Sequence, residues 1–487
     1  MSQKLSRRSF ARLLSASAAV VPVAEIFSKS VFGQTASSAI YSEKHFSSEF
    51  LWGSATASYQ VEGAVNEGGR GATIWDTFAH AAGKTHNGDT GDVADDFYHR
   101  YAEDVKFMRS LGLKTFRFSI AWSRIFPTGA GAPNQAGIDF YRKLADALLA
   151  NGIEPYATLY HWDLPQPLQD RGGWENRDTP KAFADYAGFI AGKLQGTVKH
   201  YMTMNEISTF TELGYSTGRH APGLQVGGKR LAQLTHYAVL GHGMAVLAVR
   251  ASATGAQVGL AENPRATVPV METGEHIAAA RAAMREDNAQ HLGVILGGKY
   301  TDHYLKRLGA DAPQFTAEDL AIIASPLDFV GLNIYTPTYV HAADNELGYV
   351  NVPPPPSYPH MLSPWLAVGP EALYWGPKLT YDIWRPKALF ITENGCSSTD
   401  QLAPDGQVYD TDRVMYLRNY LSNLHRAVAE GVPVKGYFLW SLLDNYEWAD
   451  GYEKRFGITY VDFLTQKRVP KLSAHYYKEV IANNRVV

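Results

Sequence analysis

The sequence predicts one α/β domain of the (β/α)8 (TIM) barrel class, in which eight parallel strands alternate with helices. Short β-rich runs alternate with amphipathic stretches along most of the chain, which is the pattern of a parallel sheet. From residue 46 to residue 487 there is no linker, low-complexity tract or break in composition. A chain of 487 residues usually contains two or three domains, but α/β barrels are a known exception to that expectation.

Eight runs are predicted as strands because they are short and rich in β-branched, aromatic and other apolar residues. They are residues 50–53, 115–120, 154–160, 201–204, 257–260, 328–334, 388–391 and 436–440. Four stretches between them have the periodicity of amphipathic helices. These are residues 93–110, 137–151, 180–194 and 413–430. A doubly wound sheet is the alternative, but the glycine-rich segment 67–71 does not lie between a strand and a helix, as its phosphate-binding turn would.

Composition and charge narrow the function classes. Apolar residues make up 45% and charged residues 19%, which favours a large core over disorder. The net charge of −3 gives no basic field for a nucleic acid. The single cysteine, Cys396, excludes an intrachain disulfide and a Cys-based metal site, and the histidines show no metal-ligand spacing. We therefore expect neither a metal nor a cofactor. Aromatic residues, at 12%, suit sugar binding, because the apolar face of a pyranose packs on an aromatic ring.

The first 36 residues are predicted to be a cleaved export signal. A pair of arginines, Arg7 and Arg8, precedes a weakly apolar stretch at residues 13–23 and a region of small residues. This order resembles a twin-arginine signal, which exports folded proteins, and predicts a periplasmic or secreted bacterial protein. The apolar stretch is too short for a stable membrane anchor. Residues 37–45 are then a short linker, and residues 46–487 form the functional domain.

Hydrogen-bonding, carboxylate and aromatic side chains lie at or after the ends of the predicted strands. In a barrel, these ends form the edge that carries the active site. The side chains are Gln60, Arg117, His161, Asn205, Glu206, Asn333, Tyr335, Glu393, Trp440, Glu447 and Trp448. Such a set is poor for binding a metal or phosphate and good for an uncharged, polyhydroxylated ligand.

Two of these residues, Glu206 and Glu393, provide what glycoside hydrolysis needs. One carboxylic acid must protonate the leaving oxygen, and one carboxylate must attack the anomeric carbon or activate water. The fourth and seventh strands lie on opposing sides of a barrel mouth, so the two side chains can face each other across a sugar. A separation of about 5 Å would give retention of configuration, and roughly 6.5–9.5 Å would give inversion.

Seven segments resemble glycoside hydrolase family 1, the retaining β-glucosidases, between residues 50 and 470. They are residues 50–63, 116–124, 160–165, 203–206, 331–335, 391–395 and 440–448. The resemblance implies that Glu393, in a Thr-Glu-Asn-Gly motif, is the nucleophile and that Glu206 is the acid/base. Asn205 would hold the 2-hydroxyl of the sugar, and Arg117 would support Glu393. The implied substrate-binding residues are Gln60, His161, Asn205, Asn333, Tyr335, Trp440, Glu447 and Trp448.

The resemblance implies a β-glucosidase that acts on β-glucosides or cello-oligosaccharides. A broad β-galactosidase or β-fucosidase, or an inactive sugar-binding protein on the same scaffold, are the alternatives. Two positions depart from the family pattern. Ile207 stands where the family has a proline, which is expected to loosen the backbone of Glu206. Trp365 lies in a segment one residue longer than the family stretch that places a tryptophan at the leaving-group site. The sequence does not indicate an oligomeric state.

Overall fold

Eight parallel strands close into a barrel in the computed structural model, which describes residues 44–487. We name the strands β1 to β8 in chain order. They are Leu51–Ala55, Thr115–Ser119, Glu154–Thr158, His200–Asn205, Gln257–Glu262, Val330–Asn333, Leu389–Asn394 and Val434–Trp440. Each strand pairs with the next along the chain, and β1 pairs with β8 to close the ring. The predicted (β/α)8 class is confirmed, while the predicted export signal lies outside the described residues.

One long helix follows each strand before the next begins, and we name these helices α1 to α8. They are Phe97–Leu111, Gln135–Ala150, Thr179–Lys193, Gly228–Ser252, Gly274–Asp287, Ala372–Trp384, Thr411–Ala429 and Leu472–Asn483. Shorter α-helices are Ser58–Val61, Ile74–Ala79, Trp122–Ile125, Gln166–Gln169, Ile207–Thr209, Val294–Gly297, Asp302–Leu308 and Ala317–Ile323. Single 3-10 turns are His86–Gly88, Gly173–Glu175, Gly309–Asp311 and Trp448–Asp450, and π-helical turns are Phe210–Ser216 and Ala289–Gly293.

Two small sheets lie outside the barrel. One has three strands, Thr267–Pro269, Thr338–Ala342 and Tyr349–Val352, and the other pairs Thr459–Asp462 with Lys467–Pro470. No helix in the part of the chain that the structure describes is long and apolar enough to cross a membrane.

The predicted and observed elements differ mainly at their ends. Helix α1 begins at Phe97, four residues after the predicted start, because Ala94 (φ 48°) and Asp96 (φ 52°) have left-handed backbones that cannot continue an α-helix. Strand β5 continues beyond the predicted run to Glu262. The additional residues are Ala261, which has little β propensity, and the polar Glu262, so neither has the local signal of a strand.

Aromatic side chains fill the interior of the barrel below its mouth. Tyr156 of β3 meets Phe438 of β8 with ring centroids 5.1 Å apart, although the two strands are not neighbours. Phe390 of β7 lies 5.7 Å from Tyr156 and 5.4 Å from Phe329. The barrel is therefore a packed core rather than a pore, and it supports the side chains above it.

The two ends of the described chain meet below the barrel, at the amino ends of the strands. The Phe46 N–H donates to the Asn484 carbonyl at 3.0 Å, and the Val486 N–H donates to the Lys44 carbonyl at 3.2 Å. The indole of Trp52 in β1 donates to the Asn484 side chain at 2.9 Å. This face is opposite the carboxyl ends of the strands, where the predicted site residues lie.

Candidate active site

A cavity of about 270 Å³ opens at the carboxyl ends of the strands. Eight of the predicted site residues line it: His161, Asn205, Glu206, Tyr335, Glu393, Trp440, Glu447 and Trp448. The other three, Gln60, Arg117 and Asn333, are fully buried behind this wall and are hydrogen-bonded to it. The structure thus brings all the predicted site residues together.

Glu393, on β7, is held from both sides of its carboxylate. The Arg117 guanidinium donates from Nη1 to Oε1 at 2.6 Å, and the Tyr335 hydroxyl donates to Oε2 at 2.7 Å. Arg117 is itself fixed by a bond from its Nε to the Thr158 hydroxyl at 3.0 Å. Burial raises the pKa of Glu393, while the charge of Arg117 and these hydrogen bonds oppose the rise. A cation and a phenol thus favour the ionised form.

Glu206, directly after β4, has a different environment. It is 5% exposed, and no ion pair to it forms between residues 44 and 487. Burial, and then the negative charge of Glu393, raise the pKa of Glu206 to about 8. Since only Glu393 has a cation beside it, Glu393 loses its proton first and Glu206 keeps its own at neutral pH. Two carboxylic acids with separated roles are the pattern of an acid/base and nucleophile pair.

Asn205 connects the two carboxylates and orients His161. Its Oδ1 accepts from Arg117 Nη2 at 2.5 Å and from Asn333 Nδ2 at 2.9 Å. Its Nδ2 therefore donates to His161 Nε2, at 3.0 Å, which assigns the imidazole proton to Nδ1. Burial and the charge of Arg117 lower the pKa of His161, so the ring is neutral. Among the described residues Nδ1 has no partner, which leaves this N–H for a sugar hydroxyl.

The side chain of Asn333 is fully used by the protein. Its Nδ2 donates to Glu206 Oε1 at 2.8 Å as well as to Asn205, and its oxygen accepts from the Thr392 hydroxyl at 2.6 Å. The sequence predicts Asn333 as a substrate-binding residue. The structure places it behind Glu206 and Asn205, where it holds these two side chains.

The end of β8 and the loop after it form a wall that combines a hydrogen-bond acceptor with apolar rings. Gln60 Nε2 donates to Glu447 Oε2 at 3.2 Å and to the Tyr446 carbonyl at 3.0 Å, which fixes the Glu447 carboxyl in the wall. The rings of Trp440 and Trp448 lie nearly parallel to His161, at centroid distances of 5.8 and 5.9 Å. Such a wall can contact both the hydroxyls and the apolar face of a sugar.

Local backbone geometry explains several residues of the motifs. A Cβ at Gly395 would lie 1.7 Å from the Trp440 carbonyl oxygen, so only glycine fits beside the end of β8. Trp162, Glu206 and Trp448 have positive φ angles of 74°, 50° and 54°. Each such backbone costs of order 1–3 kcal/mol in a residue other than glycine, and these costs concentrate at functional sites. All three side chains line the cavity.

The backbone after Glu206 is held more firmly than the sequence predicts. The Ile207 N–H donates to Glu262 Oε2 at 2.9 Å, a bond that a proline at this position could not make. A hydrogen bond from Ile207 to β5 therefore holds this backbone, where a proline would restrict it through its ring.

Other cavity residues were not predicted from the sequence. They are Thr209, Leu213, Arg219, His220, Asn263, Asp450 and Phe456, whereas Trp162 belongs to segment 160–165, which the sequence already indicates. Asn263 directly follows Glu262, so extending the fifth strand run to its polar end would have found it. Arg219 and Asp450 form an ion pair at 3.2 Å between the loops after β4 and β8, and no local pattern in either loop indicates this contact.

Trp365 stands at the rim of the cavity with 46% of its surface exposed. Its ring lies edge-on to Tyr335, at 5.6 Å and 84°, and stacks near Phe456, at 6.4 Å and 16°. The additional residue in its segment does not keep it from the site. A ring in this position can contact the part of a substrate that protrudes from the cavity.

Carboxyl groups outnumber basic side chains in the lining of the cavity, but burial raises the pKa of Glu206 to about 8 and the pKa of Glu447 well above its usual range. Four lining residues carry carboxyl groups, Glu206, Glu393, Glu447 and Asp450, whereas Arg219 is the only lysine or arginine among the described lining residues. Burial lowers the pKa of the other lining imidazole, His220, to about 3, so it is neutral. Between residues 44 and 487, no group of three or more His, Cys, Asp or Glu side chains could hold a metal ion.

Comparison with known proteins gives concordant results. A sequence model of the family Glycosyl hydrolase family 1 matches residues 42–486. The chain is 44% identical over 448 residues to β-glucosidase A of Acetivibrio thermocellus, covering 90% of this chain and 98% of that protein. It is 42% identical to a bifunctional β-D-glucosidase/β-D-fucosidase of Bifidobacterium breve, covering 90% and 98%. A solved family 1 β-glucosidase from Thermotoga maritima superposes with a TM-score of 0.85 at 39% identity, covering 92% of this chain and 100% of that chain.

Proposed function

Because this chain belongs to glycosyl hydrolase family 1 and is a β-glucosidase, a retaining O-glycoside hydrolase, we propose that Glu393 is its nucleophile and Glu206 its acid/base. The observation that carries the assignment is the contrast between two buried carboxyl groups in one cavity. Glu393 is bonded to Arg117 and Tyr335, while Glu206 has a pKa raised to about 8 and no ion-pair partner among residues 44–487.

In the first step, the terminal β-glucosyl residue occupies the cavity with its anomeric carbon between the two carboxyl groups. Glu206 gives its proton to the glycosidic oxygen, which leaves as an alcohol. The Glu393 carboxylate attacks the anomeric carbon from the opposite face and forms a covalent glycosyl-enzyme. Asn205 is linked to Glu393 through Arg117 and to Glu206 through Asn333, and its amide can bond to the 2-hydroxyl of the sugar as the transition state forms.

In the second step, Glu206 changes its role. Esterification removes the negative charge of Glu393, which is one of the causes of the raised pKa of Glu206. That pKa then falls, so Glu206 can take a proton from water as the water attacks the anomeric carbon. The ester bond to Glu393 breaks, and glucose leaves with the β configuration of the substrate.

The polar groups that line the cavity favour an unphosphorylated sugar. Four carboxyl groups line it, and its single arginine, Arg219, is already paired with Asp450. A phosphate group would therefore find no unpaired lysine or arginine among the described lining residues, whereas hydroxyl groups can bond to the carboxyl groups and to the free N–H of His161.

We further propose cello-oligosaccharides as substrates beside simple β-glucosides. A second cavity of about 180 Å³ shares Thr209 and Asn263 with the active-site cavity. Its other lining residues are mostly polar: Ser208, Glu212, Pro264, Arg265, Ala266, Asn288, Gln290, His291, Thr336 and Thr338. A polar extension beside the acid/base suits additional sugar units better than an apolar aglycone.

The stereochemistry of the first product tests the proposed mechanism. Proton NMR during hydrolysis of p-nitrophenyl β-D-glucoside and cellobiose is expected to show β-glucose before α-glucose, which then forms by mutarotation. The corresponding galactoside and fucoside serve as comparison substrates for specificity. Initial release of α-glucose would contradict double displacement through Glu393.

We also propose that residues 1–36 export the enzyme to the periplasm or medium. The family match begins at residue 42, which supports an additional segment before the catalytic domain. Replacing both Arg7 and Arg8 with lysine is expected to leave β-glucosidase activity in the cytoplasmic fraction. Arg12→Lys is the matched control and should not alter the distribution. Unchanged export of the double variant would exclude a twin-arginine signal.

A further inference from the structure

Glu262, the last residue of β5, holds the two residues that follow Glu206. Its side chain is fully buried. The Ile207 N–H donates to Oε2 at 2.9 Å, and the Ser208 N–H and hydroxyl donate to Oε1 at 3.1 and 2.6 Å. Both oxygens of the Glu262 carboxylate thus accept hydrogen bonds from residues 207 and 208.

That segment follows a left-handed backbone at one of the two reacting groups. Glu206 has φ 50° and ψ 68° and begins the short helix Ile207–Thr209. Its own N–H donates to the Ala261 carbonyl at 2.7 Å. The last two residues of β5 therefore bond to three consecutive residues, 206, 207 and 208. A left-handed backbone persists in a residue other than glycine only where its surroundings hold it.

The hydrogen bonds to Glu262 also give partners to N–H groups at the start of the helix Ile207–Thr209. The first N–H groups of a helix have no partner within the helix, and a buried N–H without a partner costs about 1–3 kcal/mol. A residue from another strand supplies the acceptor here, so the start of the helix is tied to the barrel.

The charge of Glu262 is not neutralised by a cation. No lysine or arginine between residues 44 and 487 forms an ion pair with it, and its bonds come from neutral donors. Burial raises the pKa of Glu262, while the hydrogen bonds from Ser208 and Ile207 oppose that rise. In its ionised form Glu262 adds to the raised pKa of Glu206, after burial and Glu393. The three hydrogen bonds from residues 207 and 208 are therefore what stabilises the Glu262 carboxylate in its buried position.

We propose that Glu262 is a positioning residue that holds the Glu206 carboxyl at the leaving oxygen by fixing the backbone of residues 206–208. The inference rests on the proposed role of Glu206 as acid/base. Glu262 does not contact the sugar in this scheme and acts through the segment that it holds.

The test uses the full-length enzyme and aryl β-glucosides whose phenols differ in pKa. Protonation by Glu206 matters little for a 2,4-dinitrophenol leaving group and greatly for phenol. For Glu262→Ala we expect kcat/KM to change less than about 3-fold with 2,4-dinitrophenyl glucoside and to fall roughly 10- to 100-fold with phenyl glucoside. Glu262→Gln, whose carbonyl oxygen can still accept one set of bonds, should lie between wild type and Glu262→Ala.

Asp319→Asn is the matched control, because Asp319 is also a buried carboxylate that accepts a backbone N–H, from Thr316 at 3.1 Å, at a helix start. It should not alter the dependence on the leaving group. An equal loss on all substrates in both Glu262 variants would overturn the proposal and leave Glu262 as a stability residue. If Glu206→Ala itself showed no dependence on the leaving group, the assignment of Glu206 would fail instead.

Discussion

Replacing Glu393 with alanine is expected to lower kcat for p-nitrophenyl β-D-glucoside roughly 10⁴-fold or more, the scale of losing a covalent nucleophile. The carboxylate is the group that Arg117 and Tyr335 bind, so the variant loses both the attacking oxygen and the partner of a buried cation. The measurement is the initial rate of nitrophenol release by the purified variant.

Adding azide distinguishes a folded Glu393→Ala enzyme that lacks only its nucleophile from an unfolded one. The anion can enter the space left by the Glu393 side chain and attack the same face of the sugar, which should give an α-glucosyl azide. Glu346→Ala is the control, since Glu346 is an exposed glutamate paired with Lys306 at 2.7 Å and should leave kcat unchanged. Near-normal activity of Glu393→Ala without azide would contradict the proposed mechanism.

Replacing Glu206 with alanine is expected to affect substrates unequally. With phenyl β-D-glucoside, kcat/KM should fall about 10²- to 10⁴-fold, the range that general acid catalysis contributes. With 2,4-dinitrophenyl β-D-glucoside, which leaves without a proton, kcat/KM should remain close to that of wild type. Azide should now attack the glycosyl-enzyme from the face that Glu206 vacates and give a β-glucosyl azide. The α anomer as the only azide product would reverse the two assignments.

The Glu206→Ala variant is also expected to change the pH dependence of kcat/KM. Glu206 must be protonated for the first step, and its pKa is raised to about 8 by burial and by Glu393. The wild-type kcat/KM should therefore be maintained below that pH and fall as pH rises through about 8. Glu206→Ala should lack this alkaline decline. A decline that persists unchanged would show that another group controls it.

The fold was predictable because each barrel element has a local signal. A strand of a parallel sheet is a short apolar run, and an exposed helix has a period of 3.6 residues, so order and number follow from the sequence. The ends of elements depend on contacts that are distant in the sequence. Glu262 extends β5 because its carboxylate is satisfied by residues 207 and 208, and α1 starts late because Ala94 and Asp96 adopt left-handed backbones.

The candidate site was predictable where polar residues lie at the end of a strand or directly after it. Glu206 follows β4 and Glu393 lies near the end of β7, and barrel geometry brings both to one mouth. The division between sugar-facing and supporting residues was not predictable, since Asn333 and Asn205 are chemically alike and only their packing separates them. Arg219 and Phe456 come from long loops whose path over the cavity is set by tertiary contacts.

The bonds between residues 44–46 and 484–486 have a consequence for how the chain could be rearranged. The first and last described segments are neighbours. A short peptide that joins residue 487 to residue 44 would therefore close the polypeptide into a ring, as the strands of its barrel are closed. A circularly permuted enzyme could then begin and end at another exposed loop instead of at the present termini. The order of motifs along the chain would change with the choice of this loop, while the geometry at the mouth would not.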